Sequence, residues 1–401
     1  MSVYRYGVFA RSLTRLTFQK PLKIKQLNFY RNISTKSKPK EFSTFKLGLI
    51  GLGLGVTAGT CYAVYSSVTE HGKTDHMIHE KKHPRVIDKL PDVRITKKIV
   101  NPNDKSGLEL VLFQFQTCPF CCKVRAYLDY EGLSYSVVEV DAVLRQDLKW
   151  SDYKKVPMLL ARRQDGKYVQ LTDSSTIISV IASYLHDPSQ DIGELARFYP
   201  SISFFDDAGK KITDVMNKYF LMFQDSTPKN VSREDMQEER SWRSWADAHL
   251  VHLISPNVYQ TRAEAFETFD WFSDAGEWHI HFPKWERDMM VYVGATAMWL
   301  ISKRLKKRHN LTDDVRGHIY EALNEWTDEL KKKNSKFMGG KQPNLADLAV
   351  YGILCSMEGC QAFKDCLANT NIGEWFNAIK DIVSKNRGYA ERPAGNKSLQ
   401  A

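Results

Sequence analysis

The feature that most constrains the fold of this sequence is an apolar run that breaks into a cysteine pair, LVLFQFQTCPFCCKVRAYLDYEG. Residues 110–115 predict a buried strand, and residues 119–131 predict a helix that starts with a proline, where a missing N–H costs nothing. Gly132 ends this helix, and residues 134–140 predict another strand. A helix between two strands favours a right-handed crossover with the strands parallel. The stretch therefore predicts a βαβ unit with thiols at the start of its helix.

The first cysteine of the pair is placed where a thiol ionises readily. Cys118 lies at or beside the helix N-cap, where unpaired amides and the positive end of the helix dipole stabilise an anion. Cys121 lies one turn further on the same side of the helix, where it could resolve a mixed disulfide. Cys122 points about 100° further round the helix, and we interpret it as a small packed residue.

Three interpretations of the C-x-x-C pair are open: a thiol-active site, two buried structural cysteines, or half of a zinc site. A zinc site needs a second pair of ligands at similar spacing. The other cysteines lie in a predicted membrane segment or on helices far along the chain. A C-x-x-C beside a βαβ pattern is typical of redox chemistry, so the thiol-active site is favoured and no metal site is predicted.

Two later stretches supply candidate ligand-binding groups. KKVPMLL places Pro157 directly before an apolar strand, so the Val156–Pro157 bond is a candidate cis peptide. Such a turn would bring the Val156 backbone close to Cys118 and offer an N–H and a C=O to a peptide-like ligand. QLTDSSTIISVIASYL places Asp173 and Ser174 at the start of a helix, where they predict capping and a grip on the charged end of that ligand.

Together these motifs resemble the thioredoxin-like N-terminal half of glutathione transferases and glutaredoxins. In those families the Val-Pro backbone and the acidic-serine pair hold glutathione, and the cysteine faces its sulfur. The resemblance places these roles on Val156, Pro157, Asp173, Ser174 and Cys118. It therefore implies glutathione as the cofactor.

The downstream half of the chain predicts helices. Residues 194–386 show few strand-like alternations and several aromatic-rich faces, such as SWRSWADAHLVHLISPNVY. Asn344 predicts an N-cap with Asp347 at the third helical position, a capping-box variant that starts a buried helix. Glutathione transferases have a similar motif at this place. Residues 225–240 are charged and predict a mobile loop.

Four stretches in order, FQTCPFC, WADAHLVHLISPNVY, ISKRLKKRH and GGKQPNLADLAVYG, resemble the family of membrane-associated prostaglandin E synthases of type 2. That family implies isomerisation of prostaglandin endoperoxide H2 to prostaglandin E2. It also implies that Cys118 is central, with glutathione, sometimes with haem, bound beside it. The chain departs from the family at two positions, because Phe115 replaces a tyrosine and Cys122 replaces a serine.

We expect the substrate pocket between the two halves of the chain, where small-molecule sites are often found. Phe120, Tyr127 and aromatic residues of the helical half are the candidate lining residues. We include Phe115 and Phe120 in the set that binds the cofactor.

The N-terminal residues indicate targeting and not nucleic-acid binding. Residues 1–40 hold ten basic residues and no acidic one, and the remaining 47 basic residues balance the 47 acidic ones. This acid-free start resembles a mitochondrial transit peptide. Residues 47–69 form an uncharged run of 23 residues, long enough for one transmembrane helix. A mitochondrial membrane is favoured, and a Golgi or other endomembrane with a cytosolic catalytic domain is the alternative.

The sequence thus predicts an α/β domain and an all-α domain behind a single membrane span. The predicted segments are a basic targeting segment (1–45), a transmembrane helix (47–69), a polar linker (70–107), a thioredoxin/glutaredoxin-like α/β domain (108–190), an all-α glutathione-transferase-like C-terminal domain (191–390) and a tail (391–401).

The predicted function is a thiol-dependent isomerase that converts prostaglandin H2 to prostaglandin E2, with Cys118 and Cys121 as catalytic residues. The alternatives are a glutathione-linked thiol-disulfide oxidoreductase and a non-catalytic glutathione- or haem-binding membrane protein. The expected partners are the endoperoxide substrate and a membrane, with no nucleic acid. A homodimer is left open.

Overall fold

A computed structural model describes most of the chain from residue 80 onward. The described residues are 80–142, 144–205, 209–222, 232–309 and 311–388. The predicted targeting segment, the predicted membrane span at 47–69 and the predicted tail therefore lie outside them. Within the described part of the chain, no helix is long and apolar enough to cross a membrane.

In the described residues, nine strands form two sheets. The strands are, in chain order, β1 (Glu80–Lys82), β2 (Val86–Ile87), β3 (Lys97–Ile99), β4 (Leu110–Gln114), β5 (Tyr135–Glu139), β6 (Met158–Arg162), β7 (Tyr168–Thr172), β8 (Ser201–Phe205) and β9 (Lys211–Val215). The larger sheet has six strands in the order β2-β7-β6-β4-β5-β3, and the smaller one has the order β1-β8-β9.

The helices make up most of the second half. In chain order they are α1 (Pro119–Tyr130), α2 (Ser174–His186), α3 (Ile192–Ala196), α4 (Arg233–Trp245), α5 (Val251–Val258), α6 (Arg262–Ala275), α7 (Trp278–His281), α8 (Lys284–Met289), α9 (Ala295–Arg308), α10 (Val315–Lys332), α11 (Leu345–Cys355), α12 (Gln361–Asn369) and α13 (Ile372–Ser384). Two π-helical turns, Ala246–Leu250 and Met290–Gly294, join α4 to α5 and α8 to α9.

The predicted βαβ unit is confirmed. β4 and β5 pair in parallel, with Val111 opposite Ser136, and α1 begins at Pro119 between them. β6 and β7 add antiparallel strands beside β4. Strand β4 is buried on both faces because Leu112 packs into the core with α1 and α2, while Phe113 packs into a separate apolar cluster.

The prediction of a polar linker over residues 70–107 is wrong from Glu80 onward. β2 pairs with β7 and β3 pairs with β5, so this segment supplies both edges of the six-stranded sheet. Its scattered apolar residues cover the apolar cluster around Phe113, and they are Ile87, Leu90, Val93 and Ile95. Charged residues between these four obscure the apolar pattern in the sequence. The four side chains are nevertheless partly buried against the sheet, and this burial favours the position of the segment there.

The prediction of an all-α domain over residues 191–390 is also wrong in part. β8 and β9 form an antiparallel hairpin, and β1 pairs with β8 at its edge. Two runs of β-branched and aromatic residues, separated by DDAGK, were the available sequence signal. The helical domain therefore begins after this hairpin, with α4.

The charged stretch at 225–240 is helical over its second part. Ser232 caps α4 by accepting from the Asp235 N–H at 3.0 Å, and the Asp235 carboxylate accepts from the Ser232 N–H at 3.2 Å. This capping box satisfies N–H groups at the helix start that charge content alone does not reveal.

The predicted capping box at Asn344 and Asp347 is confirmed at the start of α11. Asp347 is fully buried, and its carboxylate also accepts hydrogen bonds from outside the helix. Helix α11 packs closely on α1 at Gly352, where an added Cβ would lie 2.5 Å from the Lys123 Cα. The helical half thus contacts the backbone of the helix that begins at the cysteine pair.

Candidate functional site

Cys118 lies where the end of strand β4 turns into helix α1. The turn is closed by a hydrogen bond from the Cys118 N–H to the Phe115 carbonyl at 3.1 Å, and Cys118 has the extended backbone of an N-cap. Its side chain is partly exposed, whereas Cys121, one turn along the helix, is fully buried. Of the two thiols, Cys118 is the one that a ligand can reach.

The two thiols form a hydrogen-bonded pair with opposite shifts in acidity. The hydrogen bond from Cys121 lowers the pKa of Cys118 against the effect of burial, helped by backbone N–H groups of Phe120 and Cys121. Burial raises the pKa of Cys121 well above its usual value, and the bond to Cys118 raises it further. Cys118 is therefore the better thiolate, and Cys121 keeps its proton.

Cys122 is buried, as predicted, but it is not simply a packed apolar residue. Its Sγ lies 3.4 Å from the Gln116 carbonyl oxygen and accepts from the Arg125 guanidinium at 3.2 Å. Arg125 also donates to the Gln116 carbonyl at 2.6 Å and to the Gln114 amide oxygen at 2.6 Å. This network fixes the residues that precede Cys118.

Glu139 completes the network from strand β5. Its carboxylate accepts from the Gln116 N–H at 2.6 Å and from the Gln114 side-chain amide at 3.0 Å. Burial raises the pKa of Glu139 to about 7, although these hydrogen bonds act in the opposite direction. A buried acid therefore holds the turn beneath the cysteine pair.

The Val156–Pro157 bond is cis, as predicted. Val156 is partly exposed and stands just before strand β6. Neither its N–H nor its C=O makes a hydrogen bond to any residue that the structure describes. A partly exposed N–H and C=O side by side form a binding edge for an extended peptide backbone.

Asp173 and Ser174 begin helix α2, as predicted. Asp173 has a positive φ of 69°, which is a strained conformation for a residue with a side chain, and its Oδ1 accepts from the Thr176 N–H at 2.8 Å. Burial and then the neighbouring Asp247 carboxylate raise the pKa of Asp173. Its second carboxylate oxygen has no hydrogen bond within the described ranges, so Asp173 retains capacity to bind a ligand.

Sequence reasoning missed a buried ion pair next to Ser174. Lys123 on α1 is fully buried, and its ammonium donates to the Ser174 and Ser175 hydroxyls and to the Asp247 carboxylate. Asp247 comes from the π-helical turn of the other half. The available signal was a lysine that shares its helix face with Phe120 and Tyr127, since spacings of three and four residues lie on one face.

The aromatic residues predicted to line the site lie in different surroundings. Phe115 packs against the apolar cluster on the far face of the sheet, and Phe120 is partly buried against the main core. Tyr127 is 1% exposed inside that core, so the prediction that it lines a pocket is wrong. Tyr127 lies one turn after Lys123 on α1, where that helix packs against the rest of the core.

Two cavities occur elsewhere in the described part of the chain. One of about 660 Å³ lies beside α9 and has three lysines in its wall. The other, of about 230 Å³, lies against β7 and the first turn of α2. Neither of these two cavities is lined by Cys118.

The site's chemistry follows from these groups. Cys118 offers an acidic thiol, Val156 offers backbone groups, and Asp173 and Ser174 offer a carboxylate and a hydroxyl at a helix N-terminus. A peptide with a free amino acid end and a thiol matches all of them. Glutathione is such a peptide.

The chain has relatives among known proteins. Residues 112–187 match the family model of the glutathione S-transferase N-terminal domain. The chain is 47% identical to prostaglandin E synthase 2 of Mus musculus over 296 residues, which are 73% of this chain and 75% of that protein. It is 46% identical to prostaglandin E synthase 2 of Danio rerio over 277 residues, 69% of this chain and 71% of that protein. A solved structure of glutathione S-transferase III in apo form aligns with 71% of this chain over 97% of the transferase chain, with 16% identity and a TM-score of 0.40.

Proposed function

Because the chain belongs to the prostaglandin E synthase 2 family, we propose that it isomerises prostaglandin endoperoxide H2 to prostaglandin E2 at the Cys118 thiol. Glutathione bound beside Cys118 is the proposed cofactor. The observation that supports this most strongly is the position of Cys118. Cys118 is the partly exposed residue of the cysteine pair, and its pKa is lowered by its hydrogen bond with Cys121.

The proposed isomerisation needs no external reductant. The Cys118 thiolate attacks the peroxide oxygen whose carbon becomes the ketone, so an S–O bond forms as the O–O bond breaks. The other oxygen leaves as an alkoxide and takes a proton to become the hydroxyl group. Loss of the proton from the first carbon then forms the C=O bond while the S–O bond breaks, which returns the thiolate.

The proposed ligand contacts use hydrogen-bonding capacity that contacts among the described residues leave free. The Val156 N–H and C=O pair with the cysteinyl backbone of glutathione. The Ser174 hydroxyl and the N-terminus of α2 hold its glutamyl carboxylate, and Asp173 holds its ammonium. These contacts direct the glutathione sulfur towards Cys118.

Turnover by the full-length chain in detergent tests the proposal. Prostaglandin endoperoxide H2 would be added with glutathione, and the products would be resolved by mass spectrometry. The rate of non-enzymatic product formation would be subtracted. Cys118→Ser should lower turnover by at least about a hundredfold, because the nucleophile is lost. The matched control is Cys355→Ser, which removes a partly exposed thiol on α11 and should retain activity. Turnover that survives Cys118→Ser would contradict the proposal.

A second candidate function is glutathione-linked thiol-disulfide oxidoreduction, which the hydrogen bond between Cys118 and Cys121 favours. In that reaction the Cys118 thiolate attacks a disulfide and releases one thiol, and Cys121 then displaces the second thiol as the intramolecular disulfide forms. Glutathione is the reductant that restores the pair.

Cys121→Ser separates the two enzymes. A dithiol cycle requires Cys121, whereas the isomerisation does not. Reduction of a glutathione mixed disulfide that needs both cysteines, without endoperoxide turnover, would favour the oxidoreductase. Absence of Cys118-dependent turnover with either substrate would favour a non-catalytic binding protein.

Haem stays a prediction from the family resemblance. The proposed isomerisation proceeds at the Cys118 thiol and does not involve haem.

Membrane anchoring by residues 47–69, a mitochondrial location and a homodimer remain proposals. The uncharged run and the acid-free N-terminal segment support the first two. Alkaline extraction of membranes and fractionation of organelles test them, and light scattering tests the dimer.

A further inference from the structure

A fully buried ammonium group lies directly behind the proposed ligand-binding edge. The Lys123 side chain is 0% exposed, and its Nζ donates to Ser174 Oγ at 3.2 Å, to Ser175 Oγ at 3.0 Å and to the Asp247 carboxylate. A lysine ammonium has three N–H donors, so protein acceptors use all of them. Lys123 therefore acts on a ligand only through these partners.

The two serines beside Lys123 differ in whether the hydroxyl hydrogen is already donated within the protein. The Ser175 hydroxyl donates to the Asp247 carboxylate at 2.6 Å. The Ser174 oxygen accepts from Lys123, and its hydrogen has no acceptor in the part of the chain that the structure describes. Because Lys123 donates to one lone pair of this oxygen, the Ser174 O–H is directed away from the ammonium and is free to donate to a ligand.

Asp247 fixes the ammonium from the opposite side. Its second oxygen accepts from the Ser175 hydroxyl and from the Tyr219 hydroxyl at 3.1 Å. Burial acts to raise the pKa of Asp247, but the Lys123 charge and hydrogen bonds from Lys123 and Ser175 hold it below its usual value. Asp247 therefore stays ionised, and its contact with Lys123 joins the helical half of the chain to helix α1.

We propose that Lys123, held by Asp247, is a positioning residue that selects ligands with a carboxylate beside Ser174. This inference rests on the proposed glutathione site. The Lys123 ammonium donates to the Ser174 oxygen and so polarises its O–H, which strengthens donation to a carboxylate. This local effect remains although Asp247 balances the charge of the lysine. The lysine also fixes the rotation of the hydroxyl, so its donor direction is set before the ligand arrives.

A purely structural role for the ion pair predicts a different result. If Lys123 only joined the two halves of the chain, its loss would lower the affinity for every ligand of this site by a similar factor. If Lys123 positions Ser174, its loss would lower the affinity only for ligands that carry the carboxylate. The discriminating quantity is therefore a ratio of affinities and not an affinity.

The test measures dissociation constants of three peptides by calorimetry with the full-length chain. The peptides are glutathione, an analogue with 4-aminobutanoyl in place of the γ-glutamyl group, which lacks the carboxylate, and a glutaryl analogue, which lacks the ammonium. In Lys123→Met the preference for glutathione over the carboxylate-free analogue should fall about tenfold. The preference over the ammonium-free analogue should stay as in the wild type.

Two further variants control for misfolding of Lys123→Met and for the loss of a Lys123 partner other than Ser174. Lys123→Met leaves Asp247 as an unpaired buried charge, so Lys123→Met with Asp247→Asn replaces it if the single variant does not fold. Ser175→Ala is the matched control, because it removes a Lys123 partner but leaves Ser174, and it should keep the carboxylate preference.

The possible results distinguish failure of this inference from failure of the proposed glutathione site. An unchanged carboxylate preference in Lys123→Met, or in the double variant, would overturn the inference while the proposed glutathione site stands. Wild-type protein that binds none of the three peptides would contradict the proposed site and the inference together.

Discussion

Asp173 and Asp347 each lie in the first turn of a helix that packs against α1, but they use their carboxylates differently. Asp347 accepts four hydrogen bonds of 3.0–3.1 Å, from the N–H groups of Met338, Gly339 and Asn344 and from the Trp375 indole. Asp173 accepts a single hydrogen bond of 2.8 Å, within the described ranges, and has a strained backbone.

The difference separates an acid that stabilises the fold from one that is available for binding. Burial raises the pKa of both groups, to about 6 for Asp347. The four donors of Asp347 compensate for its burial inside the protein. Asp173 lacks such compensation, and strain without compensation at a partly exposed helix start is typical of a ligand site.

The largest expected effect is on stability at Asp347. Asp347→Ala leaves three backbone N–H groups and an indole N–H buried without an acceptor, so we expect a loss of at least about 3 kcal/mol in the free energy of unfolding. Urea unfolding followed by circular dichroism measures it. Asp328→Ala, which breaks an exposed ion pair with Lys331, is the control and should change little. Equal effects of Asp347→Ala and Asp328→Ala on the free energy of unfolding would show that the four hydrogen bonds of Asp347 do not stabilise the fold.

Glu139 is an intermediate case, with two hydrogen bonds and a pKa raised from 4.5 to about 7. The native state binds its proton more tightly than the unfolded state, so native stability falls as pH rises from about 4.5 to about 7 and is then constant. Relative to Glu139→Gln, the wild type should lose up to about 3 kcal/mol over this window. Parallel pH profiles of the two proteins in urea unfolding would contradict this expectation.

The close contact between α1 and α11 connects the two regions. Gly352→Ala would place a methyl group 2.5 Å from the Lys123 Cα and 2.7 Å from its N, and backbone atoms cannot rotate away. We expect a cost of about 1–3 kcal/mol in thermal unfolding, together with slower alkylation of Cys118 as α1 shifts. Gly373→Ala is the control, because its new methyl group meets only a leucine side chain at 3.3 Å. An unchanged melting temperature in Gly352→Ala would show that the helices separate freely.

The smallest expected effect on stability is at Asp173. Asp173→Ala removes one cap and should cost about 1 kcal/mol. Asp173→Gly should cost less, because glycine adopts the positive φ without strain. A loss at Asp173 as large as that at Asp347, measured by the same urea unfolding, would remove the distinction between the two acids.

The parts of the fold that the sequence predicted are those with local signals. The proline at the start of α1, the Val156–Pro157 turn and the capping residues Asn344 and Asp347 each depend on neighbours within a few positions. Each of these local features appears in the structure.

The parts that the sequence did not predict depend on distant partners. Lys123 and Asp247 are 124 positions apart, so neither residue alone indicates a buried pair. Strand β1 exists because it pairs with β8, and its own residues Glu80–Lys82 are polar. Edge strands with charged residues carry a weak pattern, since pairing and not side-chain burial places them.

The glutathione affinities of the wild type and of Asp173→Ala, both titrated by calorimetry at the same pH, show directly whether Asp173 binds the ligand. We expect Asp173→Ala to bind at least about tenfold more weakly, since a charge-assisted contact to the ligand ammonium is lost, while its melting temperature changes little. Equal affinity in the two proteins would show that the second carboxylate oxygen of Asp173 does not bind the ligand.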